Sequence, residues 1–234
     1  MLTSYPWARP RASARLWAPA LLPTLVVAPH PDDESLTTGG VIAHLRRRGV
    51  PVTVLAVTDG ESSYPDLVDQ VQLAHIRRNE QISACAELGL RPDSIWRAVL
   101  PDGAVAEHTG TLTTIISRIC AQRAIEQVIA PWTHDHHSDH EACGRAALEA
   151  CHHNGIALVS SLFWAFHHTN PDLGQLRLVA FAMSKVERER KQRAIARHLS
   201  QTTDELVTQP ILDAAMLEPI NDDNEFFLVP DGDS

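Results

Sequence analysis

The sequence has few cysteines, no paired-cysteine motif and no long hydrophobic run. Its four cysteines, Cys85, Cys120, Cys143 and Cys151, form neither a CxxC pair nor a disulfide-framework spacing. We therefore expect reduced, partly buried thiols, as is usual in the cytoplasm. No apolar run approaches the roughly 18 residues needed to cross a bilayer. The segment before Pro23 lacks the uninterrupted apolar core of a signal peptide. These features predict a cytoplasmic protein without a membrane span.

Basic residues are also scarce: the chain has 20 Lys and Arg residues and 29 Asp and Glu residues, so the formal net charge is −9. The short basic stretches at 46–48 and 185–197 are typical of solvated helix faces. No region concentrates enough positive charge to neutralise many phosphates. We therefore expect no nucleic-acid partner.

The order of the apolar segments predicts an α/β fold. Apolar runs rich in β-branched residues alternate with segments of helical period, a pattern typical of a mostly parallel sheet covered by helices. The predicted strands lie at 24–28, 52–58, 95–100, 126–131, 158–167 and 176–183. The predicted helices lie at 36–48, 69–88, 112–123, 139–154 and 186–199. The expected architecture is a Rossmann-like three-layer sandwich with its active site at the C-terminal ends of the strands.

The last part of the chain departs from this alternation. Because no crossover helix separates the predicted strands at 158–167 and 176–183, we expect them to pair as an extra C-terminal hairpin, followed by the helix over 186–199. The final 30 residues are acidic and carry an apolar patch at 226–228. With neither an internal repeat nor a linker, the sequence predicts one domain over 1–234, with its core at about 24–228 and an irregular N-terminal extension over 1–23.

Two segments rich in histidine and carboxylate each follow a predicted strand. His-Pro-Asp-Asp-Glu at 30–34 follows the first strand, and His-Asp-His-His-Ser-Asp-His at 134–140 follows the strand over 126–131. Ligands bind at this edge of open parallel sheets. A catalytic zinc ion takes about three His or carboxylate ligands and keeps one position for water. A bound dication would also remove the cost of burying adjacent carboxylates. Together the two segments predict a metal site.

Each segment also has a simpler explanation. The acids at 32–34 suit the N-terminus of the following helix, and four histidines in seven residues are compatible with a surface tract of adventitious metal affinity. The location of both segments at one edge of the sheet favours a joint site. Spacing does not decide which of Asp32 and Asp33 is a ligand and which is a base. It also leaves His134 and His136 open as ligands.

These residues resemble the LmbE/PIG-L deacetylase family over about 24–228, nearly the whole chain. Two positions depart from the family pattern: Ser138 stands where proline is usual, and His136 where glycine is common. The similar positions are Val27-Ala28-Pro29-His30-Pro31-Asp32-Asp33-Glu34, Gly39-Gly40, Thr58-Asp59-Gly60, Arg77, Glu80, Leu88-Gly89, Pro101-Asp102-Gly103, Ala130-Pro131-Trp132, Asp135, His137, Asp139, His140, Lys191, Ala194, His198 and Ser200-Gln201.

The resemblance implies a zinc ion, or another divalent metal such as Fe²⁺, held by His30, Asp33 and His140. It implies that Asp32 is the general base for the water that the metal activates, and that it later protonates the leaving amine. His137 is expected to stabilise the oxyanion.

Three further residues receive roles from the same resemblance. Asp139 is expected to orient a histidine through a hydrogen bond, which fixes the tautomer of the ring. Arg77 and Asp102 are expected to contact substrate. The alternatives are an ordinary helix-surface arginine and a turn aspartate in Pro-Asp-Gly.

The expected activity is hydrolytic removal of an N-acetyl group from a small N-acetylglucosamine-type conjugate. An amidase acting on a larger N-acyl or thiol conjugate is the alternative within the same class. A two-His-one-carboxylate iron oxygenase and a non-catalytic metal- or sugar-binding module are alternatives from other classes. A homo-oligomer is compatible with the sequence.

Overall fold

The structure is a computed structural model that describes residues 7–64, 66–168, 173–207 and 209–231. Within these ranges, eight strands form one sheet: β1 (Arg15–Leu16), β2 (Thr24–Ala28), β3 (Val52–Ala56), β4 (Ile95–Arg97), β5 (Gln127–Pro131), β6 (Ala157–Ser161), β7 (Leu176–Ala182) and β8 (Asn224–Pro230). The α-helices of the same ranges are α1 (Ala8–Ser13), α2 (Asp33–Arg47), α3 (Gln70–Glu87), α4 (Thr109–Arg123), α5 (Ser138–Asn154), α6 (Lys185–Ile195), α7 (Leu199–Thr202) and α8 (Ala214–Leu217). Short 3-10 turns lie at Pro92–Ser94, Val105–His108, Trp164–His167 and Glu218–Ile220.

The sheet has the strand order β1-β7-β8-β6-β5-β2-β3-β4. The neighbours from β6 to β4 are all parallel, and β1 is parallel to β7. Strand β8 is antiparallel to both of its neighbours, β6 and β7. The prediction of a mostly parallel sheet is therefore confirmed.

Side chains of the central strands alternate between two cores. In β2, Leu25 and Val27 pack with apolar residues of α4 and α5, whereas Val26 and Ala28 pack on the other face with residues of α2, α3 and α6. All five residues of β2 are buried, as expected for a parallel strand covered on both faces. The predicted three-layer arrangement is confirmed.

The C-terminal pairing differs from the prediction. Strands β6 and β7 do not pair with each other, because β8 lies between them. The predicted strand over 158–167 ends at Ser161 and continues into the 3-10 turn Trp164–His167. The predicted hairpin between these two segments is therefore wrong, and β7 instead forms an antiparallel pair with β8. The apolar patch at 226–228 forms the middle of β8 and fills the sheet between the two strands.

The N-terminal extension is less irregular than expected. Residues 1–6 lie outside the described ranges, but α1 and β1 are regular elements, and Arg15 of β1 is in register with Val179 of β7. Trp7 is 1% exposed, and its indole N–H donates to the carbonyl oxygen of Ala165 over 2.8 Å. The expectation of an irregular segment fails here because β1 finds a partner that is distant in the chain.

A buried ion pair joins the end of the chain to α2, the helix that begins in the site. Lys191 of α6 lies 2.9 Å from Glu225 of β8, and both side chains are at most 5% exposed. The Glu225 carboxylate also accepts the backbone N–H groups of Gly40 (2.7 Å) and Val41 (2.9 Å). Glycine is needed at position 40 because a Cβ would overlap Met183. These contacts fix α2 against β8 and α6.

Among the described residues, no helix is both long and apolar enough to cross a membrane. The four cysteines are free and buried.

Candidate metal centre

Two neighbouring parallel strands bring the two predicted segments together. Strand β2 ends at Ala28 and leads through His30 into α2, and β5 ends at Pro131 and leads through the histidine segment into α5. Strands β2 and β5 are adjacent and parallel. Both loops therefore lie at the same carboxyl edge of the sheet, as predicted.

His30, Asp33 and His140 bring three donor atoms to one point. Asp33 Oδ2 lies 3.3 Å from Nδ1 of His30 and 3.4 Å from Nε2 of His140, and one donor atom from each residue lies within 4.8 Å of the others. Tetrahedral ligands about 2.1 Å from a zinc ion are separated from one another by roughly 3.4 Å. The spacing of these atoms therefore fits a zinc-sized cation.

A buried aspartate holds the far side of each imidazole. Nδ1 of His140 lies 2.9 Å from Asp135 Oδ2, and Nε2 of His30 lies 3.3 Å from Asp139 Oδ2. In metal sites, such partners fix the tautomer of the ring and aim the other nitrogen at the ion. Nε2 of His140 is buried and has no hydrogen-bond partner within the described part of the chain. This orphaned atom is the strongest sign in the molecule that a cation fits here.

The electrostatics of the three residues favour a positive charge between them. Burial opposes it, but Asp33 and Asp135 raise the pKa of His140 to about 9. Burial likewise opposes the shift at Asp33, but the neighbouring imidazoles of His140 and His30 hold the pKa of that carboxyl below its usual range. The carboxylates thus favour positive charge on the ring, and the rings favour negative charge on Asp33, so the donor set as a whole suits a cation.

Asp32 is held apart from these three residues. It occupies the N-cap position of α2, but its side chain makes no capping hydrogen bond, so the capping explanation does not describe it. Instead its Oδ2 accepts a hydrogen bond from the side-chain amide of Gln201. Burial and the Asp33 carboxylate raise the pKa of Asp32 to about 7, although Arg77 acts in the opposite direction. A carboxyl group with this pKa exchanges protons readily near neutrality.

His137 lies beside the three donors with a defined tautomer. Its Nδ1 accepts the backbone N–H of Asp139 over 3.2 Å. Burial, together with His140 and His30, lowers the pKa of His137. The neutral ring therefore carries its proton on Nε2, and His137 lines the cavity. In a second group, His30, His137 and Asp139, one possible ligand atom from each residue also lies within 4.8 Å of the others. In that group, however, Nδ1 of His137 already accepts a backbone N–H group.

Asp139 and Asp135 are the two aspartates behind the histidines. Asp139, expected from the sequence to orient a histidine, contacts His30 and also accepts the N–H groups of Gly103 (2.8 Å) and Val105 (3.2 Å). Asp135 received no role from the sequence. It is fully buried and accepts N–H groups from residues 163–165 besides its bond to His140. The sequence signals were its position between histidines and its place in the family resemblance, but its burial cannot be read from a loop sequence.

The structure places Arg77 and Asp102, predicted to bind substrate, at a cavity of about 270 Å³. Arg77 is 1% exposed and donates from Nη1 to the carbonyl oxygen of Gly60 over 2.8 Å. Its Nε and Nη2 find no hydrogen-bond partner among the described residues. Asp102 is more fully engaged, since Oδ1 lies 3.2 Å from Nε2 of His30 and Oδ2 accepts the N–H of Ser62 over 2.8 Å.

The remaining histidines of the segment point away from the metal donors. His134 and His136 are exposed, and the His136 ring stacks on His168 with centroids 4.2 Å apart. The backbone of His136 has a φ of +62°, a left-handed conformation that glycine adopts without cost. Glycine, which the resemblance implies at this position, would suit this turn, and histidine is accommodated in it here.

Four other cavity-lining residues were given no role from the sequence. Phe163 follows β6, Gln201 lies in α7, and Ile211 and Leu212 lie between α7 and α8. Of these, only Gln201 stands at a position of the family resemblance, and the other three come from segments without a chemical motif. Only the packing of the C-terminal region against α2 and α3 brings them to the metal donors.

Residues 25–151 match the family model described as GlcNAc-PI de-N-acetylase (PIG-L). A Bacillus subtilis (strain 168) protein described as a probable N-acetyl-alpha-D-glucosaminyl L-malate deacetylase 2 is 32% identical over 132 residues, which are 54% of this chain and 59% of that protein. The match therefore spans less than two thirds of that relative's length.

Two solved structures are similar in fold. The A40926 pseudoaglycone deacetylase Dbv21 has a TM-score of 0.69 at 23% identity and covers 89% of this chain and 96% of its own. The N,N'-diacetylchitobiose deacetylase of Pyrococcus horikoshii has a TM-score of 0.65 at 23% identity, with 96% of this chain and 87% of its own covered. The family model covers more than half of the 234 residues, including both segments of the metal centre. The chain belongs to the GlcNAc-PI de-N-acetylase (PIG-L) family.

Proposed function

We propose that this protein is a zinc-dependent deacetylase that removes the N-acetyl group from a small N-acetylglucosamine-type conjugate. The observation that carries the proposal is the separation of roles around Asp33. Three donors, from His30, Asp33 and His140, lie at zinc-ligand spacing, while the adjacent Asp32 carboxyl group is held outside that set. A hydrolase needs both a metal site and a free base, whereas a binding module needs only the first.

The donor set fits zinc, and the neighbouring Asp32 favours hydrolysis over the alternatives. Two imidazoles and one carboxylate are common zinc ligands. A bound zinc ion would act as a Lewis acid and would lower the pKa of a water bound to it towards about 7. The same donors suit an iron oxygenase. Asp32 favours hydrolysis, because a carboxyl group with a pKa of about 7 beside the metal donors is the group that general-base catalysis requires.

Asp32 and His137 have separate roles in the proposed reaction. Asp32 takes the proton from the attacking water as that oxygen bonds to the acetamide carbon. The Nε2–H of His137 donates to the carbonyl oxygen as negative charge develops on it. Asp32 then returns the proton to the nitrogen as the C–N bond breaks. The products are acetate and a free amine.

The substrate is proposed from the cavity and from the relatives. At about 270 Å³ the cavity is near the small end of the roughly 300–1,000 Å³ usual for ligand pockets. Its lining includes Trp164 and the buried Arg77, two of whose nitrogens have no hydrogen-bond partner among the described residues. These groups suit a polar sugar conjugate with a ring face. The names of the Bacillus subtilis and Pyrococcus horikoshii proteins point to N-acetylated amino sugars.

We also propose that the chain is organised as one domain, because β1 and β8 belong to the same sheet as the central strands. The four buried free thiols support the cytoplasmic location expected from the sequence.

The experiment is amine release by the zinc-loaded protein from a panel of N-acetyl amino-sugar conjugates, under anaerobic conditions. Asp32→Asn should lower kcat by about 10²–10⁴ while the metal content stays unchanged. Asp93→Asn is the matched control, since the Asp93 side chain is exposed and its ion pair is with the exposed Arg91. Absence of amine from every conjugate would overturn the proposal. A long-chain N-acyl analogue in the same panel tests the amidase alternative.

A further inference from the structure

Gln201 is the residue that holds the Asp32 side chain. It lies in α7, is 2% exposed and lines the cavity. Its Nε2 donates to Oδ2 of Asp32. Within the described residues, no other hydrogen bond reaches that carboxylate, since neither a cap bond nor an ion pair involves it. The orientation of Asp32 therefore depends on a single amide.

The orientation of the Gln201 amide follows from its partner. A carboxylate only accepts hydrogen bonds, so the NH₂ end of the amide must face Asp32. Because Nε2 binds Oδ2, Oδ1 is left without a hydrogen-bond partner among the described residues, and Asp32 contributes to the lining of the cavity. The amide therefore selects which oxygen of Asp32 can accept a proton.

Contacts from two other helices fix the position of α7. The N–H and hydroxyl groups of Ser200 donate to the Glu80 carboxylate of α3 over 2.7 and 2.6 Å. Nε2 of His198 lies 3.1 Å from Oγ of Ser35, in the first turn of α2. Gln201 is thus placed relative to the same helix that carries Asp33. A side chain held this way can set a geometry to a fraction of an ångström.

Asp32 needs such a restraint because cations compete for it. The buried Arg77 guanidinium lines the same cavity as Asp32 and would attract its carboxylate. A dication at the neighbouring donors would attract it as well. An unrestrained Asp32 would rotate towards one of these charges, and at the metal it would occupy the position that water needs.

We propose that Gln201 is a positioning residue for the general base: it keeps Asp32 out of the metal-ligand set and points one of its oxygens at the attacking water. The inference rests on the proposed function for its kinetic consequence, but the contact itself can be tested without activity. A misplacement of about 1 Å in such a site costs on the order of 10²-fold in rate. The loss should fall on kcat, since Gln201 is assigned no contact with substrate.

The kinetic experiment compares Gln201→Met and Gln201→Asn with Gln81→Met. Methionine keeps the length of the side chain without its hydrogen bonds, and asparagine keeps the amide but is one methylene too short. The control removes a buried amide of the same kind, since Nε2 of Gln81 donates to Oε2 of Glu34 over 3.0 Å, outside the cavity lining.

We expect both Gln201 variants to lose on the order of 10- to 100-fold in kcat, with KM within about threefold. Gln81→Met should lose stability but keep kcat within about threefold. Wild-type kcat in Gln201→Met, or a loss confined to KM, would overturn the proposal.

The second measurement does not depend on turnover. In a ¹⁵N–¹H correlation spectrum of the wild type, the side-chain amide of Gln201 is assigned by through-bond correlation to its own backbone, so its identification needs no Gln201 variant. Asp32→Ala should shift this pair of signals, and an unshifted pair would overturn the contact even if Gln201→Met fails to fold. If the wild type releases no amine, the proposed function fails, and this spectrum still decides whether Gln201 holds Asp32.

Discussion

Asp135 accepts a hydrogen bond from Nδ1 of His140 over 2.9 Å, and both side chains are at most 2% exposed. The same carboxylate accepts N–H groups from residues 163–165, the turn that carries cavity-lining Phe163 and Trp164. One buried aspartate thus holds a ring of the candidate metal centre and also the turn that lines the neighbouring cavity.

Asp135→Asn should weaken zinc binding by about 10- to 100-fold, because an amide is a poorer acceptor and His140 loses the partner that fixes its tautomer. Competition with a chelator of known affinity measures the change. Asp93→Asn provides the surface control. Equal zinc affinity in Asp135→Asn and the wild type would show that this hydrogen bond does not orient the ligand.

His140→Ala should abolish tightly bound metal, because its orphaned, buried Nε2 is one of the three converging donors. His134→Ala is the matched control from the same segment, since His134 is exposed and absent from the donor group. Metal content per chain after gel filtration is the measurement. One equivalent of metal retained in His140→Ala would remove this residue from the ligand set.

His137→Ala should lower kcat by roughly 10²–10³ while zinc stays bound, because it removes the Nε2–H that faces the developing oxyanion. His168→Ala is a suitable control, since this exposed ring stacks on His136 rather than lining the cavity. Steady-state kinetics and metal analysis on the same samples separate the two roles of a histidine. Loss of zinc in His137→Ala would instead favour the second donor group, with His30 and Asp139.

Lys191→Met should destabilise the fold by about 3–5 kcal/mol, because it leaves the buried Glu225 carboxylate without its cation. Urea unfolding measures the loss. Adding Glu225→Gln should cost less than the sum of the two single changes, since the pair is coupled. Lys185→Met is the control: this lysine is 81% exposed in an i,i+4 pair and should contribute no more than about 0.5 kcal/mol. Equal losses at positions 185 and 191 would contradict the structural role of the buried pair.

The central fold was predictable because its signal is local. Strand β2 was predicted with its observed bounds, and the bounds of helices α2 to α5 were predicted within a few residues. Apolar runs rich in β-branched residues and helical periodicity can be read from a short stretch of sequence, whatever it packs against. The end of the chain was harder. Residues 224–230 read as part of an acidic tail, and they become β8 only because two strands from elsewhere leave a gap between them. The partner of a strand is a property of packing rather than of its own residues.

The candidate site likewise has features that the sequence determined and features that only the tertiary structure decided. The sequence by itself determined that His30, Asp33 and His140 stand at the ends of parallel strands, and the residue types there determined that a metal suits them. Only the tertiary structure decided which nitrogen of each ring is free, because Asp135 and Asp139 hold the other one. The packing also separated the adjacent acids at 32 and 33, which spacing leaves equivalent. Gln201, which makes that distinction, lies 169 residues from Asp32 along the chain, and only the docking of α7 against α2 and α3 brings the two side chains together.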